Sequence, residues 1–290
     1  NYMPELPEVE VVKRSLENNI NDLVIKKVII NTNKLRYIIN KKKLKEVVGR
    51  KITSITRRSK YLLIHFDKNI SLIVHLGMTG KFLILNKKKK LEKTSFYYKL
   101  NSKDTKHDHI VFNFENNVKL IYNDVRKFGF IKLIKTNDIN SSNHIQFLGP
   151  EPFSKKFNLT YFLKYIRNKK KTVKDLLMDQ KFVSGLGNIY VNEVLYLSKI
   201  DPKRKSFRIT TIEIKKIISF IRQILKKSIK DGGSSIKDFS DGGGRSGVFQ
   251  QNFKVYNKEG DKCFTKNCKE FIKKTSISNR STFYCRRCQK

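Results

Sequence analysis

The chain has 290 residues, of which 63 are Lys or Arg and 25 are Asp or Glu, giving a formal net charge of +38. Hydrophobic residues make up 39%, with 20 Phe and 12 Tyr, which is enough for a packed core and excludes a disordered polycation. An excess of this size calls for a polyanionic partner, nucleic acid first, although abundant Asn, Ile and Lys also mark an AT-rich genome. No run reaches the roughly 18 apolar residues of a membrane span and no signal pattern opens the chain, so a cytoplasmic protein is expected.

The opening, NYMPELPEVE, is acidic and stiff in an otherwise basic chain. PEVEVVKRSLENN predicts a helix, with Pro7 at its first position, Glu8 and Glu10 at the positive end of the helix dipole, and Val9, Val12 and Leu16 on one face. From about residue 24 to 135 the texture turns to short β-branched and aromatic runs: VIKKVII, YLLIHF, SLIVHLGM, KFLIL, HIVFNF, VKLIYN and GFIKLI. Many short strands with turn signals between them point to a sandwich or barrel. KTNDINSSN reads as a linker, and LGPEPF opens a second region. There YFLKYIRNKKK, TVKDLLMDQ, IYVNEVLYLSKI and IEIKKIISFIRQILKKSIK carry helical patterns. DGGSSIKDFSDGGGRSGVFQQ is a Gly/Ser-rich loop, long enough to be functional.

All four cysteines, Cys263, Cys268, Cys285 and Cys288, fall in the last 28 residues. Two pairs, C-x4-C and C-x2-C, flank sixteen residues and can present four thiolates to one Zn²⁺. Four protein ligands leave no open position, so such a zinc is structural. In SGLGNIYVNE, Gly185 and Gly187 allow a tight turn that brings backbone N–H groups to a phosphate. Asn188 can cap the next helix or donate its amide, and a plain helix–turn–helix corner fits the same residues. RRSKY places Lys60 at the start of an apolar strand, and NDVRKFGF puts Arg126 and Phe128 two residues apart. Such a pair can enter a nucleic-acid groove, or the Phe can belong to the core.

A proline at a free N-terminus is a secondary amine. α-Amino groups titrate near 8, against about 10.4 for lysine, so a useful fraction is neutral and nucleophilic at neutral pH. Such an amine can form an iminium with a sugar carbon while a neighbouring carboxyl moves protons. Taken alone, the stub fits an ordinary helix start better.

In company, these segments resemble one family, the bacterial formamidopyrimidine-DNA glycosylases. The resemblance is carried along the whole chain by MPELPEVE, RRSKYLL, HLGMTG, KHDH, NDVRKFG, LGPEP, LLMDQ, GLGNIYVNE, FQQ and RSTFYCRRCQK. Leu6 distinguishes PELPE from the sister endonuclease VIII opening, which usually has Gly there. The resemblance implies an α+β multidomain fold: an N-terminal catalytic β-sandwich with a long helix (1–135), a linker (136–147), a helix–two-turn–helix domain (148–252) with a lesion loop (232–250), and a zinc finger (253–290). DNA would lie between the halves.

It also implies roles. Pro4 is the nucleophile at C1′ of the damaged nucleoside, Glu5 the general acid–base and Glu8 a supporting carboxylate. Lys60 contacts phosphate near the lesion and assists catalysis. Met78, Arg126 and Phe128 fill the hole left by the everted base, with Arg126 pairing the orphaned cytosine. His75, His107 and Lys170 are DNA contacts, Asn188 binds phosphate, and Arg280 grips the phosphates around the lesion. The activity implied is excision of oxidised purines from double-stranded DNA by a monomer, followed by β,δ-elimination, with one structural Zn²⁺ on Cys263, Cys268, Cys285 and Cys288. An endonuclease VIII-like enzyme for pyrimidine lesions, or a DNA-binding zinc protein without chemistry, are the competing expectations. One departure is visible: Asn1 and Tyr2 precede Met3. With them in place the Pro4 nitrogen is an amide, so the expectation is initiation at Met3 and exposure of Pro4.

Overall fold

The computed structural model describes residues 3–88, 90–94, 105–233 and 252–290. The chain divides into two compact units, Asn1–Gln146 with Asp231–Gln250, and Phe147–Lys230 with Gln251–Lys290.

The first unit opens with α1 (Leu6–Ile20), whose Val9, Val12, Leu16 and Ile20 are buried along one stripe. Glu5 is the N-cap, so Leu6 takes the first helical position and Pro7 the second, one later than expected. Strands follow as β1 (Ile25–Ile30), β2 (Ile52–Arg58), β3 (Tyr61–Phe66), β4 (Ile70–His75), β5 (Gly80–Leu85), β6 (Leu91–Lys93), β7 (Asp108–Phe114), β8 (Lys119–Asp124) and β9 (Phe130–Lys135). The short α2 (Lys41–Leu44) lies between β1 and β2. The strands form two antiparallel sheets, ordered β1-β7-β8-β5-β6 and β2-β3-β4-β9. One hydrophobic cluster joins them to α1, drawing Phe82, Phe112 and Tyr122 from the first sheet and Leu62, Ile64 and Val74 from the second. This is the sandwich with a helix that the resemblance implied. The expected linker is not slack, because His144 packs on Phe130 with ring centroids 4.6 Å apart.

The second unit carries α3 (Leu159–Ile166), α4 (Val173–Met178), α5 (Asn188–Leu197) and α6 (Thr211–Lys230). Asn158 and Thr172 cap α3 and α4 by accepting the N–H of Tyr161 and Asp175. The α6 stripe Ile214, Ile217, Ile218, Ile221, Ile224 and Leu225 is buried, and Tyr190 on α5 meets Ser228 on α6 at 2.6 Å. The hairpin β10 (Lys273–Ile277) and β11 (Arg280–Tyr284) closes the chain. Its two-residue turn, Ser278–Asn279, is left-handed at both positions (φ 48° and 59°), the conformation that matches strand twist.

Candidate functional site

In the first unit Pro4, Glu5 and Glu8 are all buried, and the Glu5 N–H donates to Glu8 Oε2 at 3.0 Å. Two carboxyl groups buried at a helix start are costly unless they are hydrogen-bonded or put to use, and here the Glu5 and Glu8 side chains close a capping box, each on the other's backbone N–H. Of the expected lesion loop, Gly232 and Gly233 are described and 234–250 lies outside the described residues, as does Gln251 of the FQQ segment. Gly233 (φ 85°) lies close against Glu8: a Cβ there would sit 3.4 Å from Glu8 Cγ and Oε1.

Lys60 is buried in the tight β2–β3 turn, after Ser59 at φ 56°. Arg57, for which the sequence offers no role, holds that turn. Its Nε donates to Glu10 Oε2 of α1 at 2.8 Å and its Nη1 to the Ser59 carbonyl at 2.8 Å. Burial would raise the Glu10 pKa, but the hydrogen bond and charge of Arg57, with help from Arg14, bring it below the usual value. The carboxylate-bearing helix and the Lys60 turn are thereby tied together.

His75 ends β4 and is buried, with its ring stacked on Phe130. Its Nδ1 accepts the Gly77 N–H at 3.0 Å. Burial first, then the charges of Lys60, Arg36 and His144, push its pKa down to about 4, so at neutral pH it is an uncharged ring with the proton on Nε2.

Met78 follows on the β4–β5 turn, and Arg126 and Phe128 lie on the turn after β8. The two turns touch: a Cβ on Gly77 (φ 64°) would fall 2.5 Å from the Phe128 carbonyl carbon and the Gly129 nitrogen. Phe128 is 46% exposed, with the Arg126 guanidinium carbon 4.7 Å from its ring centroid. Asp124, fully buried, organises both turns. It accepts the Thr79 hydroxyl, the Gly129 N–H at 2.9 Å and the Tyr122 hydroxyl at 3.3 Å. Thr79 Oγ1 in turn accepts the Arg126 N–H at 2.9 Å. His107 is half-buried just before β7, its ring 6.2 Å from that of His109, whose Nε2 donates to the Asp124 carbonyl.

In the second unit Asn188 is the first residue of α5 and Gly187 its N-cap, so Asn188 does not cap the helix as one sequence reading had it. Its Nδ2 donates to the Ser281 carbonyl on β11 at 3.0 Å. One turn on, Asn192 Oδ1 accepts the Phe283 N–H at 2.8 Å. Lys174 on α4 is fully buried and donates to the Ser281 carbonyl (2.9 Å) and Thr282 Oγ1 (2.6 Å). These three side chains grip β11 next to Arg280, which is exposed at the head of the strand. Lys170 is exposed between α3 and α4.

Sγ atoms of Cys263, Cys268, Cys285 and Cys288 all lie within 4.8 Å of one another, with Cys263–Cys288 at 3.7 Å and Cys268–Cys285 at 3.8 Å. A tetrahedral Zn²⁺ with bonds of about 2.3 Å requires sulfur–sulfur edges of about 3.8 Å, so the cluster fits one metal ion. Tyr196 adds a hydroxyl 3.2 Å from Cys263 Sγ. Glu193, buried on α5, accepts the N–H groups of Lys254, Val255 and Tyr256 at 2.8, 2.9 and 2.8 Å, which anchors the approach to the finger.

The family model of the formamidopyrimidine-DNA glycosylase N-terminal domain matches residues 3–131, and that of the same family's H2TH domain matches 148–240. The formamidopyrimidine-DNA glycosylase of Rickettsia bellii is 43% identical over 288 residues, spanning 99% of this chain and all of the relative. That of Roseobacter denitrificans is 37% identical over 288 residues, with the same coverage of both chains. Among solved structures, Lactococcus lactis Fpg in complex with DNA containing an abasic site superposes with a TM-score of 0.84 at 36% identity, covering 99% of each chain. The wild-type Lactococcus lactis protein with DNA carrying N7-benzyl-Fapy-dG gives 0.84 and 36%, covering 99% of this chain and 100% of that one. The chain belongs to the formamidopyrimidine-DNA glycosylase family.

Proposed function

We propose that this DNA glycosylase of base excision repair removes oxidised purines from double-stranded DNA through the Pro4 amine and then nicks the abasic strand. One observation carries the reading: Glu5 and Glu8 are buried directly after Pro4, and the buried Lys60 turn is tied to the same helix. The Pro4 nitrogen, as a free secondary amine, attacks C1′ of the damaged nucleoside. The glycosidic bond breaks and the base leaves with its electron pair. Glu5 is placed to move protons between the leaving base, the sugar and the amine. The C1′–O4′ bond then opens, with O4′ taking the electron pair and a proton, to leave an iminium that acidifies C2′, so loss of that proton expels the 3′ phosphate, and a second elimination expels the 5′ phosphate. Glu8 holds the Glu5 backbone, and Lys60 supplies positive charge to the lesion-flanking phosphate.

A base inside a duplex has to be everted first, at a cost of a few kcal/mol. Met78, Arg126 and Phe128 occupy the vacated stack and offset that cost, with Arg126 facing the orphaned cytosine. His75 serves as a neutral N–H donor, and His107, Lys170, Asn188 and Arg280 contact the backbone. Cys263, Cys268, Cys285 and Cys288 hold a Zn²⁺ that orders the finger and takes no part in the chemistry. No helix among the described residues is long and apolar enough to cross a membrane, and we place the enzyme in the cytoplasm with the DNA.

Borohydride reduction of a preparation beginning at Pro4, mixed with an 8-oxoguanine duplex, should trap a covalent complex. The same protein with its terminal amine blocked should trap none. Equal trapping by the blocked protein would move the nucleophile to a side-chain amine and sink the assignment.

A further inference from the structure

A second concave site lies on the face of the five-stranded sheet turned away from the core. Lys27, Asn113, Lys119 and Leu85 are paired across β1, β7, β8 and β5, so they form one row on that face. Their neighbours Val28, Phe112, Leu120 and Ile84 point the other way into the core. The row borders a cavity of about 730 Å³, within the range of small-ligand and peptide sites. Its lining includes Leu85 and the 38%-exposed Ile29, with Lys26, Lys27, Lys87 and Lys119 around them and no acidic residue among the described lining residues.

The cavity is separate from the lesion machinery. Along β8, Lys119 opens the strand and Asp124, which holds the wedge turns, closes it, a separation of about 17 Å at about 3.4 Å per residue. Its chemistry also differs from a nucleic-acid surface. Among its described lining residues none can fork a phosphate as arginine does, and the one aromatic among them, Phe114, is 2% exposed and offers no face for a base. An aliphatic seat ringed by lysines instead complements an apolar side chain between carboxylates.

We propose that this cavity docks an acidic peptide segment of a partner protein, seating an apolar side chain on Ile29 and Leu85 and pairing flanking carboxylates with Lys27 and Lys119. The probe is the fluorescein-labelled peptide Gly-Glu-Asp-Leu-Phe-Glu-Asp, titrated with the full chain by anisotropy. Lys27→Glu with Lys119→Glu should weaken binding about tenfold, the size expected for reversing two rim charges. The exposed pair Lys155→Glu with Lys226→Glu, an equal change in net charge, should leave it within about twofold on the same grounds. Nicking of a lesion duplex should be unchanged in the Lys27/Lys119 variant. Hydrogen exchange of the unaltered protein should slow in β1 and β8 on adding peptide, which needs no variant to fold. The proposal is overturned if the control pair weakens binding equally, or if a peptide with Ser for Leu and Phe binds as well. It is also overturned if lesion-free duplex displaces the peptide and the Lys27/Lys119 variant loses duplex affinity to match.

Discussion

The Thr79 hydroxyl accepts the Arg126 N–H and donates to the buried Asp124 carboxylate, so a single side chain joins the Met78 turn to the Arg126–Phe128 turn. Asp124→Ala removes that junction and leaves the Gly129 N–H and the Tyr122 hydroxyl without their acceptor. The expected loss is about 2–4 kcal/mol of unfolding free energy, read as a lower urea midpoint at unchanged slope. Single-turnover excision from duplex should slow as well. Wild-type stability and rate in this variant would show that the junction is not needed.

The wedge itself is tested by Met78→Ala combined with Phe128→Ala. Excision from duplex should fall more than excision from a single strand, where there is no stack to refill. Equal losses on both substrates would assign these side chains to base recognition instead of eversion.

Lys174 gives a pH signature. Burial foremost, with a smaller push from Arg280 and against the pull of Asp175, lowers its pKa from 10.5 to about 7. Between those values the unfolded chain binds a proton that the folded chain does not. Folding stability should therefore rise with pH from about 7 towards 10.5. Lys174→Met should abolish this part of the rise and, through β11 and Arg280, weaken DNA binding. Urea midpoints of the two proteins at several pH values across that window provide the check, with parallel curves as the contrary result.

Stripping metal from the cysteine cluster should sharply reduce affinity for lesion DNA while the sandwich keeps its β-sheet circular dichroism. Ligation, not a core of its own, orders a segment this short. Arg280→Ala should weaken binding with the metal retained. Normal binding and nicking by metal-free protein would remove the finger from the account.

Much of this architecture is written in local pattern. The apolar runs announce β3, β4, β5 and β7 to β9, and the heptad-like stripe of α6 announces itself. β2 does not: ITSITRR buries Ile52 and Ile55 among polar residues, so it offers no continuous apolar run. The three residues of β6 and four of α2 are too short to show a period. The site divides in the same way. Residues with their own chemistry stand out, the set of cysteines above all, whereas the proline and its glutamates do so only in company with the other motifs. Supporting residues do not. Arg57 finds Glu10 across 47 positions and Lys174 finds Thr282 across 108. Asp124 reads as an ordinary turn former until its three donors are in place.

The tight Ser278–Asn279 turn fixes more than the position of Arg280. Because side chains alternate along a ladder, adding or deleting one residue within β10 or β11 would flip the remainder of that strand to the opposite face. Arg280 would then turn away and Phe283 would leave the apolar cluster it shares with Tyr196 of α5. The Cys263–Cys268 segment lies outside that ladder, in a loop closed by the Lys262–Phe271 bridge, where extra length within the loop leaves the bridge paired. Over evolutionary time the spacing between the inner cysteines should stay nearly constant while the first pair drifts, so the four-residue gap of the first pair stands where insertions are tolerated.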